Sequence, residues 1–298
     1  MTASGTSPSD AEESVLDRIV REMRDELPAR REAVPEQQLK WMVMEREEPR
    51  DFLGTLLRPG LGVIAEVKRG SPSKGAFARE INGPGTSRIF RDGGACAISV
   101  LTSKYFFADN QMLLDIGEAL LDDERRWDKP VPPLLRKEFH LDRYHVLEAR
   151  ALGADAFLLI VKTMDEATLR DLVAYGQEEL GMTAFLEVTE EQEVETALNC
   201  GARVIGINNR NLHNFSEDLG TTERVRGFIP DDIAVVAASG IHSLRGMERM
   251  KAANVNAVLV GEALTTADDI PAKLRELQGS DTEAGDKANG DTAIGGAS

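Results

Sequence analysis

The sequence predicts an α/β fold, a (β/α)8 TIM barrel with an N-terminal helical extension, from three observations. Eight apolar runs of strand length recur at 62–68, 95–101, 133–137, 156–161, 184–188, 203–208, 233–238 and 256–260. Segments with apolar residues three and four places apart lie between them, as in helices that bury one face. Charged and amide residues gather at the C-terminal ends of the runs, the end where such a barrel carries its chemistry. Strands apolar throughout and alternating with helices imply a parallel sheet covered by helices. Eight units within about 250 residues match the closed barrel. A doubly wound open sheet would want a glycine-rich dinucleotide turn after the first strand, and none is present.

Residues 11–50 read as charged helix, with Val15, Ile19, Met23 and Leu27 at about four-residue spacing. This stripe predicts an extra layer against one barrel face. The first strand opens VIAEVKRGSPSKGAF. Its two-residue period puts Ile64, Glu66 and Lys68 on one face. The loop beyond it, with Ser71, Pro72, Ser73, Lys74 and Gly75, is small and basic, suited to an anionic substrate. The second strand contains Cys96. Arg136, Lys137 and Glu138 close the third.

DRYHVLEARAL, from Asp142, has helical spacing, and Gly153, Gly181 and Gly201 stand where helices should stop. The fifth strand ends in AFLEV at Glu187. Thr189 with Gln192 three places on resembles a capping box. Asn208, Asn209 and Arg210 close the sixth strand, Ser239 and Gly240 the seventh, and Gly261 and Glu262 the eighth. After Gln278 the residues are small and polar and read as a disordered tail. The expected organisation is therefore a helical extension with a disordered start over 1–50, the barrel over 51–278 and a tail over 279–298.

At 298 residues with 42% hydrophobic content, the chain can bury one sizeable core. A formal net charge of -16 argues against nucleic acid, which demands a basic footprint. No run of about 20 apolar residues is present, so no membrane span is expected. MTASGTSPSDAEES lacks the basic and apolar regions of a signal peptide. The two cysteines, Cys96 and Cys200, read as packing residues, in keeping with a reducing cytoplasm. His140, His145, His213 and His242 have no metal-ligand spacing and are expected on surfaces or caps. The run Asp122, Asp123, Glu124 reads as a solvated loop, and Trp41 and Trp127 as packing.

EVKRGSPSKG, AISVLTSKYF, LLRKEF, EARALGADAFLLIV, LEV before an acidic helix, GINNRNL and ASGI together resemble the indole-3-glycerol-phosphate synthases of tryptophan biosynthesis, from about Phe52 to Leu277. The resemblance implies closure of a pyrrole ring in 1-(2-carboxyphenylamino)-1-deoxyribulose 5-phosphate, with loss of water and carbon dioxide. It implies neither metal nor organic cofactor. An aromatic carbon is a weak nucleophile, so a positioned ammonium must polarise the ketone it attacks. By resemblance that donor is Lys137 and the base is Glu187. Lys68, paired with Glu66, is the second cation, and Asn208 hydrogen-bonds the sugar hydroxyls or the catalytic carboxylate. Phe106 and Phe139 match the ring slot.

Backbone N–H groups of Ser239, Gly240, Gly261 and Glu262, at helix N-termini, would hold the phosphate. Ser71, Lys68 and Arg210 are candidate additions. The expected partner is a phosphorylated small molecule, with other tryptophan-pathway enzymes as candidate partners. Competing readings are a barrel lyase acting on indole-3-glycerol phosphate and a non-catalytic barrel that binds a phosphorylated ligand. Three features depart from the family pattern. Ala238 stands where a glutamate is usual, the loop between Thr102 and Lys104 is one residue shorter, and Phe107-Ala108-Asp109 replaces the usual glutamine-glycine.

Overall fold

The computed structural model describes residues 14–71, 75–77, 81–211 and 215–279. The expected disorder at the start and in the tail falls on 1–13 and 280–298, outside the described residues. Eight parallel strands close into a barrel in chain order: β1 (Gly62–Val67), β2 (Ala97–Leu101), β3 (Leu134–Lys137), β4 (Ala156–Ile160), β5 (Thr183–Val188), β6 (Val204–Asn208), β7 (Ala234–Ala238) and β8 (Ala257–Val260). The helices are α1 (Val15–Ala33), α2 (Glu36–Met44), α3 (Phe52–Leu56), α4 (Gly83–Asp92), α5 (Asn110–Trp127), α6 (Arg143–Ala151), α7 (Glu166–Ala174), α8 (Glu191–Asn199), α9 (Gly220–Val225), α10 (Leu244–Ala252), α11 (Glu262–Thr265) and α12 (Ile270–Gln278).

Alternation along each strand sorts the core into two clusters. Ile64, Ala97, Leu135, Ala156, Leu158, Phe185, Val204, Val236 and Leu259 point into the barrel. Val63, Ala65, Val67, Ile98, Val100, Leu159, Leu186 and Ile205 point out, against the helices. Each fully buried Leu, Ile or Phe contributes about 1.5–3 kcal/mol over its exposed state. Inside, Gly206 leaves room for the Phe185 ring, since a Cβ there would lie 2.1 Å from a ring carbon. Phe52 of α3 meets Phe185 edge-on, with centroids 6.5 Å apart, so α3 closes the barrel at the strand starts.

α1 lies across the opposite mouth. Ile19, Val20 and Met23 are buried with the inner cluster, and Val15 and Leu16 pack against it. Its C-terminal end is tied to α6 by Arg30–Glu148 at 2.7 Å and Arg31–Asp142 at 2.6 Å. The Tyr144 hydroxyl also donates to the carbonyls of Arg30 and Val34. Asp109, Asp142, Asp165 and Asp269 accept from backbone N–H groups as N-caps of α5, α6, α7 and α12.

Several expectations are corrected. The N-cap of α8 is Glu190, not Thr189. Glu193, rather than Gln192, reaches back to the Thr189 backbone N–H at 2.5 Å, because the helix starts one residue later than the capping-box pattern implies. Asp123 is buried within α5, not in a solvated loop, and binds Arg88 and Arg91 at 2.9 and 2.8 Å. Trp41 and Trp127 are exposed, at 61% and 70%. His140 and His145 are buried behind β3 rather than on surfaces. His213 lies outside the described residues.

Candidate active site

Parallel pairing places the last inward residues of neighbouring strands at a common level. Glu66 pairs with Ser99, Leu101 with Lys137, Ile160 with Glu187 and Asn208 with Ala238. One cavity at this mouth is lined by Glu66, Lys68, Lys137, Glu187, Asn208 and Arg210. Its walls are Phe106, Phe139, Leu158, Ile160 and Leu259, with Val15, Leu16 and Ile19 of α1 closing one side.

Glu187 is held at both oxygens. Lys137 Nζ donates to Oε2 at 3.2 Å and Asn208 Nδ2 donates to Oε1 at 2.9 Å. Burial works against the Lys137 ammonium, but Glu187 and Glu66 outweigh it and raise the pKa, so the group stays charged. Lys68 is the opposite case. Burial lowers its pKa, Lys137 and Arg210 push the same way, and Glu66, with Oε1 3.9 Å from Nζ, only partly offsets them. Two lysines in one cavity thus differ in how firmly each holds its proton.

Glu66 also accepts from Ser99 Oγ at 3.3 Å. Gly261 lies close beside it: a Cβ there would be 2.5 Å from Glu66 Oε1, so the carboxylate would have to shift. Ser99 was missed from the sequence, although a hydroxyl at an inward position of AISVL was the available signal. The Phe106 and Phe139 rings stack with centroids 6.5 Å apart and planes at 28°. Lys68 Nζ sits 6.0 Å from the Phe106 centroid, so cation and ring slot adjoin.

A second hollow continues from the first through Glu66, Lys68, Arg210, Ser239 and Leu259, and extends to Gly240, Gly261 and Glu262. All four backbone candidates for an anion therefore gather in one corner. Ser239 and Gly240 are both left-handed, at φ 66 and 76°. Asn209 pins this turn, donating from Nδ2 to the Ser239 carbonyl at 3.1 Å while its Oδ1 accepts from Thr222 of α9.

The helix N-termini expected here are only partly found. α10 begins at Leu244, beyond the left-handed turn, and α11 is a four-residue helix that Gly261 precedes. Arg210 reaches this corner but is engaged by Glu217 and lies 3.7 Å from Glu262. Glu262 thus supplies a carboxylate as well as a backbone N–H. Ser71 belongs to a two-residue hairpin, Gly70–Ser71 with Gly75–Ala76, and only its backbone is described.

Arg136 and Glu138 have different fates from Lys137. Arg136 is fully buried on the outer face of β3, bound to Glu148 at 2.6 Å and Asn110 at 2.7 Å. Glu138 lines the cavity, accepts from the Phe139 N–H at 3.0 Å, and has its pKa raised by burial. Among the described residues no group of three or more His, Cys, Asp or Glu side chains could hold a metal ion. None of their helices is long and apolar enough to cross a membrane.

The family model for indole-3-glycerol phosphate synthase matches residues 16–277. An indole-3-glycerol phosphate synthase from Roseiflexus castenholzii is 41% identical over 271 residues, 90% of this chain and 99% of that protein. One from Alkaliphilus metalliredigens is 38% identical over 268 residues, 89% and 98% of the two chains. A thiamine phosphate pyrophosphorylase structure from Pyrococcus furiosus is only 19% identical but superposes with a TM-score of 0.55, over 78% of this chain and 98% of its own. That likeness speaks for the fold alone.

Proposed function

Since the chain belongs to the indole-3-glycerol phosphate synthase family, we propose how its own residues divide the work of that reaction. The enzyme is a carboxy-lyase of tryptophan biosynthesis acting on a phosphorylated small molecule. It closes the pyrrole ring of 1-(2-carboxyphenylamino)-1-deoxyribulose 5-phosphate. The observation that carries the assignment is Lys137–Glu187–Asn208, facing Glu66–Lys68 across one cavity with the Phe106–Phe139 stack beside it.

Lys137, held charged by two carboxylates, donates to the substrate ketone and draws electrons from the carbon under attack. The aniline ring occupies the slot formed by Phe106 and Phe139. As the carbon–carbon bond forms, the ketone oxygen takes a proton and becomes a hydroxyl. Loss of carbon dioxide from the ring carbon restores aromaticity. Loss of that hydroxyl as water needs an acid, and Lys68 suits the task because its surroundings weaken its hold on its proton. Glu187 takes the proton released as the pyrrole forms, with Asn208 keeping its carboxylate in place.

The phosphate is read into the corner of Ser239, Gly240 and Gly261, with Ser71, Arg210 and the Glu262 backbone as additions. Arg210 must then loosen from Glu217 and Glu262 to meet it. Other tryptophan-pathway enzymes are proposed as partners and the cytoplasm as location, in keeping with two unpaired cysteines. The test is a turnover assay. Purified protein given the carboxyphenylamino substrate should generate indole fluorescence, and its absence with folded protein would overturn the assignment.

A further inference from the structure

We propose that Tyr105 is a positioning residue for the aromatic slot, its hydroxyl held by Glu22 of α1 so that the turn carrying Phe106 keeps its place. The inference rests on the slot reading above and adds what fixes the slot. Phe106 does not lie on a barrel strand. It ends a single turn, Lys104–Phe106, beyond β2, and such a short element needs partners outside itself.

Helix α1 supplies them. The Tyr105 hydroxyl donates to Glu22 Oε2 at 2.8 Å, and the neighbouring Lys104 ammonium binds Glu26 one helical turn further along. Lys104 also lies 5.1 Å over the Tyr105 ring. Burial, Glu22 and Glu26 all raise the Tyr105 pKa, so the phenol remains a donor throughout the working range. The turn is pinned on its other flank as well. Phe107 is left-handed at φ 61° and packs on Gly70, where a Cβ would lie 2.5 Å from its ring.

The same helix reaches the cavity directly through Val15, Leu16 and Ile19. Its Arg24 donates to the Thr163 carbonyl at 3.2 Å, and Arg30 binds Glu148. α1 is therefore seated on the barrel independently of Tyr105, and can serve as the fixed support against which the turn is held. Phe106 stacks on Phe139 and covers Lys68 only while the turn stays in register.

Tyr105→Phe removes the hydroxyl and keeps the ring, which separates positioning from packing. KM should rise about fivefold, the loss of roughly one hydrogen bond, with kcat within about twofold of wild type. Glu22→Ala should act alike, Glu22→Gln should retain wild-type KM because its amide oxygen still accepts, and the Tyr105→Phe, Glu22→Ala double variant should be no worse than either single one. The substrate with its ketone reduced to an alcohol cannot cyclise, and calorimetric titration with it should show the same rise in Kd independently of turnover. Unchanged KM and Kd in Tyr105→Phe, a fall in Tm alone, or simple addition of the two effects would each overturn the proposal. Failure of wild-type turnover with these Kd shifts intact would instead count against the assigned reaction.

Discussion

Lys137 and Glu187 come from strands two apart in the barrel, yet their side chains meet at 3.2 Å, with Asn208 holding the second oxygen of the carboxylate. The pair thus comprises a charged donor and an oriented acceptor. Each partner restricts the rotamers open to the other. Preorganisation of this kind spares reorganisation during the reaction.

Removing either partner should therefore cost turnover rather than folding. Lys137→Ala and Glu187→Gln should each lower kcat by at least about a hundredfold, with far-ultraviolet circular dichroism unchanged. Near-normal turnover in either variant would remove that residue from its role.

Ala238 is the inward residue at the end of β7 and lines the same cavity as Lys68. A carboxylate placed there by Ala238→Glu favours the charged ammonium and should raise the Lys68 pKa. The alkaline limb of the kcat/KM profile should move to higher pH, with turnover retained or increased. A collapse in rate with the fold intact would mean that the cavity has been rebuilt around alanine.

Glu148 bridges Arg136 at 2.6 Å and Arg30 at 2.7 Å, behind the strand that carries Lys137. Glu148→Ala strips the buried Arg136 of the carboxylate bonded to it, leaving the more distant charge of Glu138, and should cost about 3 kcal/mol in denaturant unfolding. Adding Arg136→Met should recover a substantial part of that loss. A single variant as stable as wild type would show that the bridge contributes little.

Burial first, then Arg30 and Arg136, hold the His145 pKa down from 6.5 to about 4, against Glu148 and Asp142. Between those values the unfolded chain binds a proton that the folded one refuses, so stability falls as pH drops through that window and is fully present above it. The slope from this one group is about 1.4 kcal/mol per pH unit. Burial likewise keeps His140 well below its ordinary value, so it adds its own share. His145→Asn should therefore reduce the pH dependence of unfolding between 6.5 and 4 without abolishing it, and an unchanged slope would contradict this.

The barrel and the polar residues at its rim were legible in the chain because both rest on local periodicity. The Ile64, Glu66, Lys68 spacing specifies a shared face whichever sheet the strand joins. Apolar runs ending in Lys137, Glu187 and Asn208 marked the rim for the same reason. The small start of AISVL hid Ser99, since one hydroxyl among apolar neighbours carries little signal until Glu66 is seen opposite. The N-terminal stripe of Val15, Ile19 and Met23 foretold a packed helix, but not that it would cover the mouth.

What the chain by itself determined was the alternation of strands and helices and the identity of the groups at each strand end. Tertiary structure decided which of two adjacent charges reaches the cavity. Arg136 and Lys137 are neighbours in sequence, but the pleat turns one outward into an ion pair and the other into the cavity. It also decided the long-range ties, such as Arg30 to Glu148 across 118 residues and Tyr105 to Glu22 across 83. Hydrogen bonds and ion pairs act over a few ångströms, and no local pattern records which distant segments the closed barrel will bring within that reach.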